Sequence, residues 1–386
     1  MTILNPLTFH GAARLLEVLP RSGIREMAAL SQGRSGLIHL EFGEPSFMTP
    51  QVIREAAARA IQEERMTYTP TPGPLELREA IAKKVAEVNG YPCRPEEVFV
   101  THGATGALLL AQAAILNPGD IILFPDPGWP NPISQALALG ARPTFYPLYP
   151  ENGYILDPSR LSIPKGTKAI LINSPANPTG AVFPREVLEG LAEVARREGL
   201  FVISDEAYDQ IYFGEPPVSM RALYPEGTLA VYSFSKSFAM TGWRLGYLVG
   251  PEELLEKVQK VAEAFYSSTS MVAQKAALAG LRGAADDVAA MRLAYRDRRD
   301  QAVETAKELG LYRYTPQGAF YLMVDVSRAG DSREFAKRLL LEKGVVAVPG
   351  TAFGKVSAGE LRLSLAASAE EIREGLRRIH QLLHEG

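Results

Sequence analysis

Four apolar runs of strand length follow one another along this chain: IILFP (121–125), KAILIN (168–173), LFVISD (200–205) and LAVYSFS (229–235). Each run is continuous rather than alternating, which is typical of strands that are buried on both faces of a parallel sheet. Helical patterns separate the runs, so we predict βαβ crossovers in an α/β domain. Ligands of such sheets bind at the carboxyl ends of the strands, and the residues that follow each run are therefore the candidates for chemistry.

The alternation continues on both sides of these runs. Upstream, residues 51–64 and 75–89 read as helices, and EVFVT (97–101) reads as a strand that leads into an apolar helix through residue 116. Downstream, the pattern becomes that of an α+β unit, which contains GAFYLMVDV, a helix over 332–343, GVVAVPG, LRLSLAA and a final helix from residue 369. We predict a large domain over residues 50–280 and a small domain formed by residues 1–49, which look irregular, and 281–386.

Composition excludes several classes of protein. The chain has 386 residues, 46% of them hydrophobic and 22% charged, with a formal net charge of −3. These values are typical of a globular protein and do not indicate a nucleic-acid or membrane partner. No apolar stretch reaches the length of a membrane span, and the first residues lack a signal-peptide pattern, so we expect a cytoplasmic location.

Metal and disulfide chemistry is also not expected. Cys93 is the only cysteine, which excludes a disulfide framework or a zinc site of several thiolates. The five histidines show no metal-ligand spacing, and His380 and His384 on the last predicted helix are expected to be exposed. We interpret the mixed-charge run RLAYRDRRD (292–300) as a solvated helix face.

Two strand ends carry residues suited to catalysis. Lys236 follows LAVYSFS, and Arg244 comes eight residues later. A lysine amine forms a Schiff base with an aldehyde, and the guanidinium fork of arginine suits a phosphate. Asp205 ends LFVISD, and Tyr208 is one helical turn beyond it if a helix follows. A structural explanation remains open for each residue, because a solvated lysine or a helix-capping aspartate is common.

Two further strand ends are less specific. Asn177 lies in NSPANPTG after KAILIN, where ordinary turn chemistry explains Asn-Pro and Thr-Gly. Gly103, Ala104 and Thr105 lie between a strand and the start of a long helix. The amides of a helix N-terminus together with a hydroxyl can hold a phosphate. A glycine turn at such a junction is nevertheless common without any ligand.

Taken together, these motifs resemble the class I/II aminotransferases of fold type I, which depend on pyridoxal phosphate (PLP). The resemblance runs from Gly43-Glu44-Pro45 to Arg362, and its most specific part is SFSK (233–236) continuing to GWRLG (242–246). NPTG and SDEAY occur in the order that the family shows. The resemblance implies a mostly parallel sheet flanked by helices in a large domain, a smaller α+β domain, and a homodimer with composite active sites.

The resemblance also implies a role for each residue. Lys236 would hold PLP as a Schiff base and, once the substrate has displaced it, move the proton between the substrate Cα and the cofactor's C4′ carbon. Asp205 would pair with the pyridinium nitrogen. Asn177 and Tyr208 would hydrogen-bond the 3′-oxygen of the ring. The remaining cofactor contacts, to the phosphate or the ring face, would come from Gly103, Ala104, Thr105, Ser233, Arg244, Trp129 and the neighbouring subunit's Tyr68. Arg362 would bind the substrate carboxylate, assisted by Asn177 and the Gly43 backbone.

Substrate choice is less defined. Relatives specific for dicarboxylates carry a basic residue either at the position of Thr105 or in the segment that here reads FYSSTSMVAQ (265–274), and neither place is basic. We therefore expect a neutral or aromatic amino donor, with 2-oxoglutarate or pyruvate as acceptor. Two alternatives stay open: a carbon–sulfur β-lyase or another enzyme of Cα chemistry on the same scaffold, and a non-catalytic PLP sensor domain.

Overall fold

The computed structural model of the chain describes residue 19 and residues 23–385. Most of the first 22 residues of the predicted small domain therefore lie outside the described part. The helices are α1 (Gly23–Ser31), α2 (Gln51–Glu63), α3 (Leu75–Lys84), α4 (Gly103–Ile115), α5 (Asn131–Ala138), α6 (Arg185–Glu198), α7 (Met220–Leu223), α8 (Phe234–Ser237), α9 (Glu252–Phe265), α10 (Met271–Gly283), α11 (Ala285–Glu308), α12 (Ser332–Lys343) and α13 (Ala369–His384).

Strands alternate with these helices as the apolar runs predicted. They are β1 (Ile38–His39), β2 (Val98–Thr101), β3 (Ile121–Asp126), β4 (Arg142–Pro147), β5 (Thr167–Asn173), β6 (Phe201–Asp205), β7 (Thr228–Ser233), β8 (Gly246–Val249), β9 (Tyr321–Asp325), β10 (Val345–Val346), β11 (Val348–Pro349) and β12 (Glu360–Ser364). A single π-helical turn, Val85–Asn89, continues α3.

Seven strands form the main sheet in the order β2-β8-β7-β6-β5-β3-β4. The pairs from β7 through β4 are parallel, whereas β8 is antiparallel to both of its neighbours. The prediction of an α/β fold with a mostly parallel sheet is confirmed. The antiparallel strand β8 brings the segment before Gly246 to the edge at which β2 and β7 end.

Helices cover both faces of this sheet. Leu108 of α4 and Val258 of α9 belong to the core on one face, and Leu188 of α6 belongs to the core on the other. The strands β2, β7 and β8 are buried along their whole length, which explains why their sequences are apolar without alternation. No helix among residues 23–385 combines the length and the apolar character that crossing a membrane requires.

A smaller unit packs beside the sheet. Its strands β11, β12 and β9 form an antiparallel sheet, and β1 pairs in parallel with β10. A third hydrophobic core joins this unit to helices of the large sheet, with Ile53 of α2 and Leu361 of β12 as members. β1 lies in the N-terminal segment, and the predicted division into residues 50–280 and residues 1–49 with 281–386 stays a prediction.

Three sequence interpretations were wrong. The first fifty residues are not wholly irregular, because α1 covers Gly23–Ser31. The run 292–300 is not simply a solvated face, since Arg299 is buried and donates to the Pro316 carbonyl. His380 is half-buried, with Nδ1 2.9 Å from the Leu309 carbonyl oxygen. In both latter cases a charged or polar tip reaches a distant backbone carbonyl, which periodicity cannot reveal.

Candidate active site

Several strand ends meet at one edge of the main sheet. β5, β6 and β7 are parallel neighbours, and Asn173 at the end of β5 lies opposite Asp205 at the end of β6. Gly246 at the start of antiparallel β8 pairs with Thr101 of β2 on one side and with Ser233 of β7 on the other. This register brings together the segments that follow β2, β5, β6 and β7.

Lys236 lies on α8, directly after β7. Its Nζ donates a hydrogen bond to the Gly43 carbonyl oxygen. Desolvation lowers the pKa of the amino group to about 8, and the positive charges of Arg362 and Arg244 act in the same direction. An appreciable minority of the Lys236 side chains is therefore neutral amine near physiological pH, and the neutral amine is the form that attacks a carbonyl carbon.

Asp205 and Tyr208 are both buried at the end of β6. Asp205 Oδ1 accepts a hydrogen bond of 3.2 Å from the Ala207 amide, and desolvation raises the pKa of this carboxyl group to about 6. Asp205 is the last residue of β6, and Tyr208 lies in the turn that follows rather than on a helix, which corrects our expectation for Tyr208. The Tyr208 hydroxyl is 2.7 Å from the Tyr321 hydroxyl. A buried carboxylate of raised pKa is suited to a cationic partner such as a pyridinium nitrogen.

Arg244 faces the start of α4. Gly103 has a φ of +65°, and a Cβ atom there would lie 2.8 Å from Arg244 Nη2. A glycine at this position therefore lets the guanidinium approach the first turn of α4, which also contains Ala104 and Thr105. Ser233 is nearby in register and its Oγ accepts a hydrogen bond of 3.1 Å from the Ser235 amide. The guanidinium and the helix N-terminus together favour a phosphate.

Arg362 lies on β12 and is 1% exposed. Its Nη1 donates to Asn177 Oδ1 at 3.0 Å, and its Nη2 donates to the Glu41 carbonyl oxygen at 2.5 Å. Rings of Tyr321 and Phe353 flank the guanidinium, with centroids 4.4 and 5.0 Å from Cζ. Its Nε has no partner among the described residues. A buried guanidinium with an unused donor is suited to bind a carboxylate.

Asn177 connects this arginine with the strand ends. The Asn177 backbone amide donates to Asn173 Oδ1 at 2.7 Å, and Asn173 Nδ2 donates to the Asp205 carbonyl oxygen at 2.9 Å. The turn after β5 is thereby fixed to the end of β6. Asn177 is buried, so its side chain has a defined position between Arg362 and the sheet edge.

Two predicted residues stand apart. Trp129 is half-buried and packs against the core on the α4 face, so its stacking on a cofactor ring stays a prediction. Tyr68 is 91% exposed and projects from its own chain. Among the predicted site residues, hydrogen bonds join Lys236 to the Gly43 carbonyl and Arg362 to Asn177, and the second of these pairs was expected from the sequence.

Sequence reasoning missed two contributions to the site. Tyr321, at the start of β9, contacts both the Tyr208 hydroxyl and the Arg362 guanidinium. The Glu41 carbonyl oxygen is an acceptor for Arg362. Tyr321 lies in GAFYLMVDV, whose apolar pattern predicted a strand but did not indicate a residue of the active site. A backbone carbonyl has no sequence signature at all.

The chain is similar to known proteins over most of its length. The profile of the family Aminotransferase class I and II matches residues 35–379. This chain belongs to that family. It is 40% identical to the aspartate/prephenate aminotransferase of Thermus thermophilus over 362 residues, which cover 92% of the chain and 94% of the relative. It is 36% identical to an aromatic-amino-acid aminotransferase of Thermococcus litoralis over 381 residues, or 96% of the chain and 97% of the relative.

Solved structures agree with the family assignment. The aspartate aminotransferase from Thermus thermophilus with maleate superposes with a TM-score of 0.91 at 39% identity, covering 96% of this chain and 99% of that one. Membership of this family makes the chain an aminotransferase of fold type I. Its substrates are amino acids and 2-oxo acids.

Proposed function

We propose that this aminotransferase uses PLP, held by Lys236, to transfer the amino group of a neutral or aromatic L-amino acid to a 2-oxo acid such as 2-oxoglutarate or pyruvate. The observation that carries the proposal is the amine of Lys236, whose pKa is lowered to about 8 and which lies among the charges of Asp205, Arg244 and Arg362. An amine, a carboxylate and two guanidinium groups match the aldehyde, the ring nitrogen and the phosphate of PLP and the carboxylate of a substrate.

The described residues fit this cofactor. Asp205 offers a buried negative charge for the ring nitrogen, and Arg244 lies against Gly103 at the N-terminus of α4, where its guanidinium and the helix amides would hold the phosphate. Tyr208 and Asn177 would hydrogen-bond the 3′-oxygen, and Trp129 would cover the ring. When bound, PLP supplies the conjugated system that takes up the electron pair released at Cα.

The protein residues then have separate tasks. Arg362 holds the substrate carboxylate and so orients the Cα–H bond, with the Gly43 backbone and Asn177 beside it. Lys236 Nζ is the base that removes the Cα proton, because its lowered pKa makes the neutral amine available near pH 8. The hydroxyl pair of Tyr208 and Tyr321 keeps the phenol of Tyr208 in place. Hydrolysis by water would release the carbon skeleton of the amino acid as a 2-oxo acid while the amino group stays on the cofactor, and a second 2-oxo acid would then take up that amino group in a ping-pong reaction.

We infer the preferred side chain of the substrate from the charges of the residues expected to contact it. Thr105 and the segment 265–274 contain no basic side chain that could pair with a second carboxylate. The relatives carry the names of both aspartate/prephenate and aromatic aminotransferases, so their names do not choose between the two substrate classes. Without a cation for the distal group, a neutral or aromatic side chain is favoured, since an unpaired buried carboxylate is costly.

An absorption spectrum tests the cofactor and the substrate together. The purified protein is mixed with PLP, and amino acids are added one at a time. We expect a yellow band that bleaches with alanine, leucine, methionine or phenylalanine and returns with 2-oxoglutarate. Faster turnover of aspartate than of these four would overturn the substrate proposal. Pyruvate and ammonia released without an acceptor would indicate a lyase, and a band that never converts would indicate a sensor.

We also propose a homodimer with composite sites. Residues 61–75 expose four large side chains, namely Ile61 (62%), Met66 (45%), Tyr68 (91%) and Leu75 (52%), which is typical of a covered surface. A cavity of about 680 Å³ lies beside Arg244 and is also lined by Thr49 and Trp243. It offers room for a tyrosine of a second subunit. Light scattering at micromolar concentration should give twice the chain mass, and Tyr68→Ala should weaken PLP binding; a monomer would contradict the proposal.

A further inference from the structure

The side chains at the end of β6 and in the turn after it lie in two different environments. Asp205 and Tyr208 contribute to the candidate site, whereas Glu206 and Asp209 contact residues of the core. All four side chains are buried, with exposures of 4–5%. Glu206 Oε1 accepts hydrogen bonds from the hydroxyl groups of Ser204 and Ser219 at 2.8 and 2.9 Å. The positions of the two site residues therefore depend on how the two core-facing carboxylates are held.

Asp209 is held by a group that comes from a distant part of the chain. Lys84 Nζ donates to Asp209 Oδ2 and, at 2.8 Å, to Asn89 Oδ1. Asn89 Nδ2 donates to the same Asp209 oxygen at 3.0 Å. We call these three residues the Lys84 triad. Each of them is hydrogen-bonded to both of the others. Lys84 also lies 4.8 Å from the ring centroid of Tyr232, on β7.

A backbone irregularity makes the triad possible. Lys84 ends α3, and the π-helical turn Val85–Asn89 follows directly. The wider turn brings side chains five residues apart onto one side, so Asn89 can reach the amine of Lys84. π-Helical turns are rare and occur frequently at functional sites. Neither Lys84 nor Asn89 takes part in the reaction proposed above.

Stability alone does not explain the ion pair. The side chains of Lys84 and Asp209 are 9% and 4% exposed, and no other ion pair of the described residues has both partners below 10%. Burying two charges costs desolvation, and apolar residues of similar volume often stabilise a protein as well or better. A buried ion pair instead restricts the geometry of the segments that it joins. Here those segments are the end of α3 and the turn that carries Tyr208.

We propose that the Lys84 triad is a positioning group, which fixes Asp205 and Tyr208 relative to PLP through Asp209. This inference rests on the proposed function. Asp209 follows Tyr208 directly in the chain, so a shift of Asp209 displaces the Tyr208 hydroxyl from the 3′-oxygen of the cofactor. Lys84, Asn89 and Asp209 themselves touch neither cofactor nor substrate.

The test is a charge-balanced double variant, Lys84→Met with Asp209→Asn. It removes the ion pair without leaving an uncompensated buried charge, which the single Lys84→Met variant would do. We expect the dissociation constant of PLP for the apoprotein to rise about 10- to 100-fold. We also expect the apparent pKa of the pH-dependent absorption change of bound PLP to rise by about half a unit or more, because Tyr208 no longer stabilises the ionised 3′-oxygen.

Lys83→Met is the matched control. Lys83 is the neighbouring lysine of the same helix, with a side chain that is 74% exposed, and its loss should change neither quantity. If the double variant has the PLP affinity and the absorption pKa of Lys83→Met, the triad has only a structural role and the inference is wrong. If the wild-type protein binds no PLP, the proposed function itself fails, which is a separate outcome.

A third variant serves if the double variant does not fold. Asn89→Ala keeps the ion pair and removes the amide that bridges its two partners. It should shift the absorption pKa in the same direction by a smaller amount. An unchanged pKa in folded Asn89→Ala, with a double variant that cannot be purified, would mean that the triad acts on folding and not on the cofactor, and would overturn the inference.

Discussion

Lys236 and Arg362 show how the same surroundings act differently on two cations. Desolvation lowers the pKa of both groups. Lysine reaches about 8 and becomes an available amine, whereas arginine stays charged because its ordinary value is above about 12. One side chain can therefore act as nucleophile and base, and the other remains a permanent anchor for an anion.

Lys236→Ala should remove the amine and with it the proton transfer at Cα. We expect the rate of transamination to fall by about 10²- to 10⁴-fold, the usual contribution of a positioned base. The change is measured as the single-turnover rate with a good amino donor. Ser237→Ala, one residue further on α8, is the control and should keep most of the rate. A Lys236→Ala protein that reacts within tenfold of wild type would contradict the role of Lys236.

Arg362→Lys should keep the charge and lose the planar fork. Lysine cannot reproduce the separate hydrogen bonds of Nη1 and Nη2 together with the unused donor at Nε, so we expect kcat/KM to fall about 100-fold, mainly through higher KM values for the amino acid and the oxo acid alike. Steady-state kinetics with both substrates measure this effect. Arg338→Lys, at an exposed site of α12, is the control. Unchanged KM values would show that another group binds the carboxylate.

Among the elements, β12 decides how the small unit meets the large sheet. Glu360 and Arg362 are two residues apart on one strand and therefore point to the same face. Glu360 Oε1 accepts a hydrogen bond of 2.7 Å from the Tyr154 hydroxyl, and Arg362 donates to Asn177. Both partners belong to loops that follow strands of the large sheet, so the strand is held at two points.

Tyr154→Phe should loosen one of these points. It removes the donor to the buried Glu360 carboxyl group, which we expect to cost about 1–3 kcal/mol of stability. The KM for the amino donor should rise by more than kcat changes, since Arg362 lies on the loosened strand. Thermal unfolding and steady-state kinetics measure the two effects. Tyr314→Phe, on the ring that packs edge-on against Tyr154, is the control. An unchanged KM in Tyr154→Phe would show that this hydrogen bond to β12 does not affect substrate binding by Arg362.

The elements that the sequence predicted well are those determined locally. Apolar runs and caps are properties of adjacent residues, and α12 begins and ends where its pattern predicted. The strand-end motifs were visible for the same reason. Tyr321 and Lys84 were not visible, because their partners Tyr208 and Asp209 are more than a hundred residues away. Register and long-range packing decide such contacts, and a single sequence carries no direct record of them.

For the molecule as a whole, the buried carboxyl groups link stability to pH. Desolvation raises the pKa of Glu206 and of Glu360 to about 7, and that of Asp205 to about 6. Hydroxyl groups hold Glu206 through hydrogen bonds. At Glu360, Tyr154 and Arg313 lower the pKa of the carboxyl group, whereas the charges of Asp325 and Glu151 raise it. Each group binds its proton more tightly in the folded chain than in the unfolded chain, so unfolding releases protons between the two pKa values.

Glu206→Gln should therefore remove part of the pH dependence of stability. In the wild type, the stability contributed by the protonated Glu206 is present below about pH 4.5 and is lost as the pH rises to about 7. Because glutamine does not ionise, the free energy of unfolding of Glu206→Gln relative to wild type should increase between pH 5 and pH 8, by up to about 3 kcal/mol. Denaturant unfolding at the two pH values measures this difference, with Glu342→Gln at an exposed site as control. A constant difference between pH 5 and pH 8 would mean that Glu206 keeps its ordinary pKa in the folded chain, and that its hydroxyl partners compensate fully for its burial.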